Sequence, residues 1–315
     1  MKKLLAFVLG ICLSLTVFCA LADGRTAPDD QSEVVTTDKV NGHETYYRKY
    51  DMKFYDAPSE QPGTIERLSY TTEVYGEPIE NWVNVYLPYG YDPDGEQKYD
   101  ILYFYHGTNE NQDSFIGNGH AKNSIDNMIE VGVAPPFIMV FPTYYYDYAN
   151  RACDLDLFQE EMRHDVMPAV ESAYRTYAET ADDAGFAASR EHRAFAGYSQ
   201  GCRMCWYSFH HLLDTAYFYL PMSNAVGAQG IVKAIDAQAA YKDDFFVYIG
   251  CGGKRDDLQT TTVNLVNELL KQPEYFRFGK NPETDNIYLT ISQDVHQTLI
   301  GRFFLYNAFC DVLWK

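Results

Sequence analysis

The sequence predicts an α/β fold with a doubly wound, mostly parallel sheet that opens with antiparallel strands. Short apolar runs, typical of parallel strands buried on both faces, recur along the chain. They occupy residues 101–105, 137–141, 194–196, 245–249 and 287–291. Helical periods lie between these runs, and the clearest has apolar residues at every fourth position from residue 158 to residue 170. Strands that alternate with helices in this way form a sheet with helices on both faces.

The opening strands are predicted from a change of pattern near residue 63. Residues 64–70 and 82–87 alternate apolar and polar side chains, as strands with one buried face do. Turn-forming residues at 88–95 separate them from the parallel part of the sheet. Residues 63–315 are therefore interpreted as one domain. Residues 23–62 are polar without a sustained period, and they are interpreted as a tether or as an arm that wraps the surface.

Residues 1–22 have the features of a secretory signal peptide. A cationic start precedes an apolar run at residues 4–18, and small residues follow at positions 20 and 22. The run is too short for a membrane-spanning helix, so we expect cleavage before Asp23 and secretion to a periplasm or to the outside of the cell. Lipid attachment at Cys19 is the less favoured alternative, because a bulky residue precedes that cysteine.

Composition narrows the possible partners. The formal net charge is -19, whereas proteins that displace counterions from phosphates collect Lys and Arg. No basic amphipathic stretch suggests a membrane surface. We therefore expect no nucleic acid partner and, after removal of the signal peptide, no membrane partner. The oligomeric state stays open.

The cysteines do not suggest a metal centre. Two of the seven cysteines lie in the signal peptide, so five remain and at least one of them lacks an intramolecular disulfide. Cys202 and Cys205 form a C-x-x-C pattern, but no second Cys or His pair stands at zinc-ligand spacing. Apolar packing on one helix face is the favoured interpretation. No metal and no other cofactor is predicted.

The candidate nucleophile is Ser199, in the pentapeptide G-Y-S-Q-G at residues 197–201. This G-x-S-x-G pattern lies between a predicted strand and the predicted helix at residues 202–213. A sharp turn from strand to helix holds the serine hydroxyl above the sheet, and the two glycines let neighbouring chain approach closely. The pattern alone is common, and its context is what predicts a nucleophile.

A serine hydroxyl needs a base, which follows the nucleophile along the chain in folds with this turn. Three histidines follow Ser199. His210 and His211 lie on the helix that starts at the turn, and they are interpreted as surface or packing residues. His296 lies five residues beyond the last predicted strand, at the sheet edge where such sites form, and it is the predicted general base.

The acid that orients the imidazole is expected in the loop after residues 245–249. Asp256 and Asp257 are neighbouring carboxylates in that loop, and their positions rank them only weakly. Asp294 is closer to His296 in sequence, but residues two apart in a loop seldom hold the geometry required. We interpret Asp294 as solvated.

Two backbone N–H groups are expected to stabilise the oxyanion that develops when an ester carbonyl is attacked. Gln200 follows the nucleophile directly and supplies one. The loop after residues 101–105 supplies the other, and Thr108 is the predicted donor. His106 in the same loop precedes the nucleophile and is interpreted as structural.

Several segments together resemble carbohydrate esterase family 1, which contains feruloyl esterases and acetylxylan esterases. They are G-T-I-E at 63–66, V-Y-L-P-Y-G-Y at 85–91, L-Y-F-Y-H-G at 102–107, V-E-S-A-Y-R-T-Y at 170–177 and A-G-Y-S-Q-G at 196–201. The resemblance runs from residue 63 to the end. It implies an α/β-hydrolase fold and metal-free hydrolysis of acyl esters on plant cell-wall polysaccharide. It also favours Asp256 as the acid, because the family places that residue soon after a glycine turn.

The chain departs from this family around the expected substrate pocket. Gln200 stands where the family often has Met, and Thr108 where it has a second Gly after His-Gly. Residues 223–226 replace the family's Ser-Gly-Asp and later Trp, and Val295 stands where a small residue usually precedes the histidine. These departures affect the identity of the acyl group more than the reaction.

Aromatic side chains are the candidates for substrate contact. Tyr144, Tyr145, Tyr146 and Tyr148 follow a predicted strand directly, and their rings suit either stacking on a sugar or phenolic acid or packing within the loop. Trp206, in the resembling segment 205–207, is a further candidate.

The sequence therefore predicts a secreted serine esterase with Ser199, Asp256 and His296 as its catalytic residues. The predicted substrate is an acylated polysaccharide or oligosaccharide, with feruloylated xylan favoured over acetylated xylan and other small acyl esters. A carbohydrate-binding protein on an inactive hydrolase scaffold is the alternative from another class. It is less favoured because nucleophile, acid and histidine are all present in the order that the fold requires.

Overall fold

The computed structural model describes residues 34–117, 120–145 and 154–315, without the side chains of residues 34–38. The predicted signal peptide and the first part of the predicted arm lie outside the described residues.

In the described residues, ten strands form an N-terminal hairpin and one large sheet. The strands are β1 Val34–Val40, β2 His43–Arg48, β3 Thr64–Thr72, β4 Ile79–Leu87, β5 Asp100–Tyr105, β6 Phe137–Phe141, β7 Arg193–Tyr198, β8 Phe218–Met222, β9 Phe246–Cys251 and β10 Ile287–Ile291. The large sheet has the order β10-β9-β8-β7-β5-β6-β4-β3. The six strands from β10 to β6 in this order are parallel to one another, whereas β4 pairs antiparallel with β6 and β3 pairs antiparallel with β4. This arrangement confirms the predicted doubly wound, mostly parallel sheet with antiparallel opening strands.

The helices cover both faces of this sheet. They are α1 Met52–Tyr55, α2 Ser114–Gly117, α3 Ala121–Glu130, α4 Leu155–Glu161, α5 Met167–Ala173, α6 Asp183–Ala188, α7 Gln200–His211, α8 Ala228–Ala237, α9 Gln259–Leu269 and α10 Gly301–Asp311. A π-helical turn, Met162–Val166, joins α4 to α5. The four apolar residues of the predicted period, Phe158, Met162, Val166 and Val170, are all fully buried. Among the described residues no helix is long and apolar enough to cross a membrane.

The strand β8 was not predicted from the sequence. It is a run of only five residues, all buried, and it lies between β7 and β9 with Pro221 paired to Gly197. Proline usually argues against a central strand because it lacks the N–H that a sheet requires. Its place beside β7 matters for the site, because β8 leads directly into the loop that follows Met222.

The core lies in two layers, one on each face of the sheet. Alternate β5 residues point to opposite layers: Tyr103 and Tyr105 to one, Leu102 and Phe104 to the other. Cys202 and Cys205 are buried in the layer that α7 contributes, and the Cys205 thiol lies 3.2 Å from the carbonyl oxygen of Phe195. These contacts fit the predicted apolar packing of the C-x-x-C pattern.

Residues 34–62 have a regular structure that the sequence did not predict. β1 and β2 form an antiparallel hairpin, and β2 lies against β10 through Thr290, whose hydroxyl donates to the carbonyl oxygen of Tyr46 at 2.7 Å. Further along, the Arg302 guanidinium donates to the Asp56 carboxylate at 2.7 Å, and Tyr55 is buried. The described part of this segment therefore contacts β10 and α10.

Candidate active site

Ser199 lies at the turn between β7 and α7, with φ 59° and ψ −114°. A non-glycine residue in this left-handed region is strained by about 1–3 kcal/mol unless its surroundings hold it. Two glycines permit the turn: a side chain at Gly197 would come within 2.2 Å of the Gly201 carbonyl oxygen, and one at Gly201 within 2.1 Å of the Tyr105 carbonyl oxygen. The Ser199 N–H donates to the Met222 carbonyl at 2.9 Å. β7 and β8 therefore fix the turn in place.

His296 lies in the loop after β10, with its Nε2 2.9 Å from the Ser199 Oγ. The two residues are 97 positions apart, and the parallel arrangement of β7 and β10 brings their loops to the same edge of the sheet. The imidazole packs beside the Tyr198 ring, with centroids 4.9 Å apart. The Ser199 hydroxyl thus has a nitrogen base within hydrogen-bond reach.

Asp256 lies 3.0 Å from the other imidazole nitrogen, measured from its Oδ1 to the Nδ1 of His296. Its exposed fraction is only 3%. Burial alone would raise the pKa of Asp256, but hydrogen bonds from His296, from the backbone N–H groups of Leu258 and Gly252, and from the Ser223 hydroxyl together hold the pKa below its usual value. The carboxylate therefore stays charged beside the imidazole.

The two other carboxylates of the region have different surroundings. The Asp257 side chain is 84% exposed, and its nearer oxygen lies 4.0 Å from the His296 Nδ1, beyond hydrogen-bond distance. The backbone of Asp294 takes part in the loop, because its carbonyl accepts from the Gly253 N–H at 3.0 Å. The structure therefore brings Asp256, and not its neighbours, into contact with the imidazole.

Asp256, Asp257 and His296 also form the one group of three metal-ligand side chains in the part of the chain that the structure describes. The hydrogen bonds explain the cluster without a metal. The two Asp256 oxygens accept four bonds, from His296 and Leu258 on Oδ1 and from Ser223 and Gly252 on Oδ2. A carboxylate offers about four acceptor positions, so these donors satisfy it.

The loop after β5 passes close to the nucleophile. A side chain at Gly107 would come within 3.6 Å of the Ser199 Cβ. His106 is buried, with Nε2 2.8 Å from the Thr143 hydroxyl and Nδ1 2.8 Å from the Gly107 carbonyl, and burial lowers the pKa of its imidazole to about 4. His106 is thus a neutral structural residue. Thr108 is exposed, directly after the point of closest approach.

Glu110 joins this loop to the loop that carries His296. Its Oε2 accepts from the Gly107 N–H at 2.7 Å, and its Oε1 accepts from the Thr298 hydroxyl. The Gly107 N–H is therefore already paired, which leaves the Thr108 N–H as the next donor along the loop. Glu110 was not predicted from the sequence, because its contact with Thr298 joins two loops that lie 188 residues apart.

Two residues after β8 also support the site, and both were missed. Ser223 has φ 53°, its N–H donates to the Gly250 carbonyl at 2.7 Å, and its hydroxyl donates to Asp256 at 2.9 Å. The Asn224 amide donates to the Ser199 carbonyl at 3.2 Å. β8 itself was not predicted, and the family resemblance connected residues 223–226 only with the expected substrate pocket and not with the acid or the nucleophile.

Two of the residues proposed for substrate contact are placed elsewhere, and those predictions are corrected. Trp206 is fully buried in the core beneath α7, with its ring 5.7 Å from that of Phe209. Tyr144 is buried with its ring stacked on His106 at 4.3 Å, and its hydroxyl donates to the His106 carbonyl at 2.7 Å. Both side chains are enclosed by protein atoms, so neither presents a ring to a substrate.

Tyr145 remains a candidate for substrate contact. It is partly exposed, and its hydroxyl accepts from the Asn109 N–H at 3.3 Å. Tyr146 and Tyr148 lie outside the described residues. A cavity of about 740 Å³ lies beside Gln200, the residue that follows the nucleophile, and is lined by Gln200, Arg203, Tyr207 and Asn224 among others. Its volume is within the range of small-molecule sites.

The chain is similar in sequence to an esterase family and to parts of two xylanases. The family model described as "Putative esterase" matches residues 79–274. Endo-1,4-beta-xylanase Y of Acetivibrio thermocellus is 33% identical over 261 residues, which is 80% of this chain and 23% of the xylanase. The endo-1,4-beta-xylanase/feruloyl esterase of Xylanibacter ruminicola is 25% identical over 208 residues, 62% of this chain and 25% of that protein. The chain therefore spans about a quarter of the length of these curated relatives.

A solved structure has the same fold over most of its length. It is a serine-to-alanine variant of the feruloyl esterase module from Clostridium thermocellum, complexed with sinapinate. The TM-score is 0.77 at 28% sequence identity, and the match covers 90% of this chain and 96% of that module. The described fold is thus that of a feruloyl esterase module with an α/β-hydrolase sheet.

Proposed function

The chain belongs to the esterase family, and from this premise we propose that it is a serine carboxylic-ester hydrolase that releases ferulate from plant cell-wall xylan. The proposed catalytic residues are Ser199, His296 and Asp256. The proposed substrate is an acylated polysaccharide or oligosaccharide, and we propose that the predicted signal peptide directs the enzyme out of the cytoplasm, where that substrate occurs.

One observation carries the proposal: a continuous series of hydrogen bonds that runs from Asp256 through His296 to the Ser199 hydroxyl. The distances are 3.0 Å from Asp256 to Nδ1 and 2.9 Å from Nε2 to Oγ. This series supplies a nucleophile, a base and a group that orients the base, which is the arrangement that acyl transfer to serine requires.

In the first half of the reaction, Ser199 Oγ attacks the ester carbonyl carbon while Nε2 of His296 takes the hydroxyl proton. The tetrahedral intermediate breaks its bond to the alcohol oxygen, and the imidazolium returns the proton to that oxygen as the sugar leaves. In the second half, water attacks the acyl-enzyme, His296 takes a proton from it, and Ser199 regains its hydroxyl as the acid departs. Asp256 stabilises the imidazolium in both halves.

The negative charge of each intermediate lies on the former carbonyl oxygen. The N–H groups of Gln200 and Thr108 are proposed to donate to it. Gln200 is the first residue of α7, so its N–H has no acceptor within the helix and lies at the positive end of the helix dipole. Thr108 follows Gly107, which approaches Ser199 closely and whose own N–H is held by Glu110.

The choice of ferulate rests on the relatives. One curated relative carries feruloyl esterase in its name, and the similar solved module is bound to sinapinate, a phenolic acid. The cavity beside Gln200 has room for an aromatic acyl group, and Tyr207 supplies a ring in its wall. The changed segment at residues 223–226 borders the same cavity, so an acetyl ester or another small acyl ester is the substrate that the test must distinguish.

The test compares labelling and turnover. A fluorophosphonate probe should label the folded wild-type chain and should not label Ser199→Ala. Release of acid from methyl ferulate, acetylated xylan and p-nitrophenyl acetate should then be measured side by side, with and without EDTA. We expect the highest kcat/KM on methyl ferulate and no effect of EDTA. A folded chain without labelling would favour the binding-protein alternative, and a preference for acetylated xylan would change the substrate.

A further inference from the structure

A second groove lies at the edge of the sheet opposite Ser199. It has a volume of about 510 Å³, and its walls include Pro62, Glu66, Pro88, Tyr89, Tyr91 and Tyr174. We name it the tyrosine groove. β4 ends beside the beginnings of β5 and β6, because it runs antiparallel to β6. Ser199 follows the carboxyl end of β7, so the two sites are separated by the length of the strands, about 20 Å.

The most exposed ring of the groove belongs to a residue in a tight turn. The Tyr91 N–H donates to the Pro88 carbonyl at 3.0 Å, and Gly90 between them has φ 77°. This is the geometry of a turn that requires glycine at its third position. Tyr89, at the second position, is 59% exposed and makes no ring contact or side-chain hydrogen bond with any described residue. The turn fixes the backbone of Tyr89, so binding has to order only the side-chain torsions of this residue.

The other rings are fixed by contacts with their neighbours. The Tyr91 and Tyr174 rings lie 6.2 Å apart, and the Tyr91 hydroxyl accepts from the Arg175 N–H at 3.0 Å. The Tyr174 hydroxyl donates to the exposed carboxylate of Glu66 at 3.1 Å. The groove therefore combines two tyrosine rings fixed by their neighbours, the exposed ring of Tyr89 and the exposed carboxylate of Glu66.

We propose that the tyrosine groove binds a neutral polysaccharide chain of the type that carries the ester, which makes this inference rest on the proposed function. Pyranose rings have apolar C–H faces that pack on tyrosine rings, and their hydroxyl groups donate to carboxylates. Glu66 and the net charge of -19 oppose an anionic polymer. Neutral sugar is thus the ligand whose chemistry matches both parts of the wall.

Such a site would bind the polymer and would take no part in hydrolysis of the ester. Because the groove and Ser199 are at opposite edges, the segment that the groove holds is not the segment that is cleaved. Binding at the groove keeps the enzyme on an insoluble polymer and raises the local concentration of its esters. Hydrolysis of a small soluble ester gains nothing from this contact.

The experiment measures retention on insoluble arabinoxylan in the Ser199→Ala background, so that no product forms. Tyr89→Ala should reduce retention about three- to tenfold, because one stacked aromatic contact is lost. Tyr89→Phe keeps the ring and should bind nearly as the parent does. Met52→Ala is the matched control, since Met52 on α1 is 53% exposed and lies outside the groove. Soluble xylo-oligosaccharide should compete for binding, whereas polygalacturonate should not.

In the active chain, Tyr89→Ala should leave kcat/KM on methyl ferulate unchanged and should lower release of ferulate from insoluble arabinoxylan. Equal retention of Tyr89→Ala and its parent would overturn the proposal, whatever the result on methyl ferulate. Sedimentation velocity provides a further check. A parent mass that rises with concentration, and that Tyr89→Ala returns to a monomer, would identify the groove as a contact between copies and would also overturn it.

Discussion

Ser199 and Asp256 contact the same imidazole, but different features of the molecule position the two residues. The turn is specified within residues 197–201, where two glycines allow the chain to fold back on itself and against β5. Asp256 depends on donors from Ser223, Gly252 and Leu258 in addition to His296. A local pattern thus identifies the nucleophile, whereas only the assembled fold identifies the acid.

The two regions also differ in what opposes their formation. Backbone strain disfavours the conformation of Ser199, and the hydrogen bond to the Met222 carbonyl on the neighbouring strand holds the turn in place. Burial of the Asp256 charge costs free energy, and its four hydrogen bonds offset that cost. Damage to the turn should therefore affect folding, while damage around the acid should affect the charge and orientation of the imidazole.

The largest expected effect tests whether the two regions act as one unit. Ser199→Ala and His296→Ala should each lower kcat by several orders of magnitude without unfolding the chain, and the double variant should lose little more. Single-turnover kinetics on methyl ferulate, with the thermal midpoint as the check on folding, measure this. If the two losses multiply instead, the residues do not share one mechanism.

The sequence predicted most of the sheet because buried parallel strands are apolar throughout. Seven of the strands followed from apolar runs or alternation, but β8 did not, since Pro221 interrupts its pattern. The hairpin of β1 and β2 was also missed, because β2 is mostly polar and lies on β10 and α10 through the backbone N–H groups of Tyr46 and Arg48. Periodicity identifies strands that build the core better than strands that lie on it.

The site was predictable where chain order alone decides it. Ser199 and His296 follow from the turn and from the short list of later histidines. The error at Trp206 had an available signal: Cys202, Trp206 and Phe209 have helical spacing, and all three lie on the buried face of α7. Ser223 and Glu110 offered no such signal, because their contacts with Asp256 and Thr298 join residues that are distant in sequence.

The second prediction separates the two neighbouring carboxylates. Asp256→Asn keeps the size of the side chain but removes the charge that stabilises the imidazolium, so kcat should fall about a thousandfold or more. Asp257→Asn changes an exposed group beyond hydrogen-bond distance and should alter kcat less than about tenfold. The pair is its own control, since the substitution is the same at adjacent positions. A large loss of kcat in Asp257→Asn alone would assign the role of the catalytic acid to Asp257. A small loss of kcat in both variants would make Asp294 the next residue to test.

Stability provides an independent check on Asp256. Its folded pKa is lower than that of an unfolded Asp, about 3.9, so the charged group stabilises the fold above that pH. This contribution is lost as the pH falls through the folded pKa. Thermal midpoints of wild type and Asp256→Asn should therefore differ most near neutral pH and converge in acid. A difference that grows in acid would contradict the lowered pKa.

The smallest expected effect concerns Glu110, which links the loop beside Ser199 to the loop of His296. Glu110→Ala leaves the Gly107 N–H without its acceptor, so the loop carrying the Thr108 N–H should shift and kcat should fall about tenfold or more with little change in KM. Glu110→Gln keeps one oxygen for Gly107 and turns its amide toward the Thr298 hydroxyl, so its loss should be smaller, about threefold. Thr298→Val removes only the second contact and should resemble Glu110→Gln. Glu268→Ala, at an exposed carboxylate on α9, is the matched control and should leave both constants unchanged.

The informative comparison is the order of the three variants. A general loss of folding would lower the fraction of active enzyme equally for every substrate and would shift the thermal midpoint in parallel with kcat. If Glu110→Ala retained full kcat, the Gly107 loop would keep its position without the Glu110 contact, and the region beside the nucleophile would be as independent of distant residues as the turn at residues 197–201.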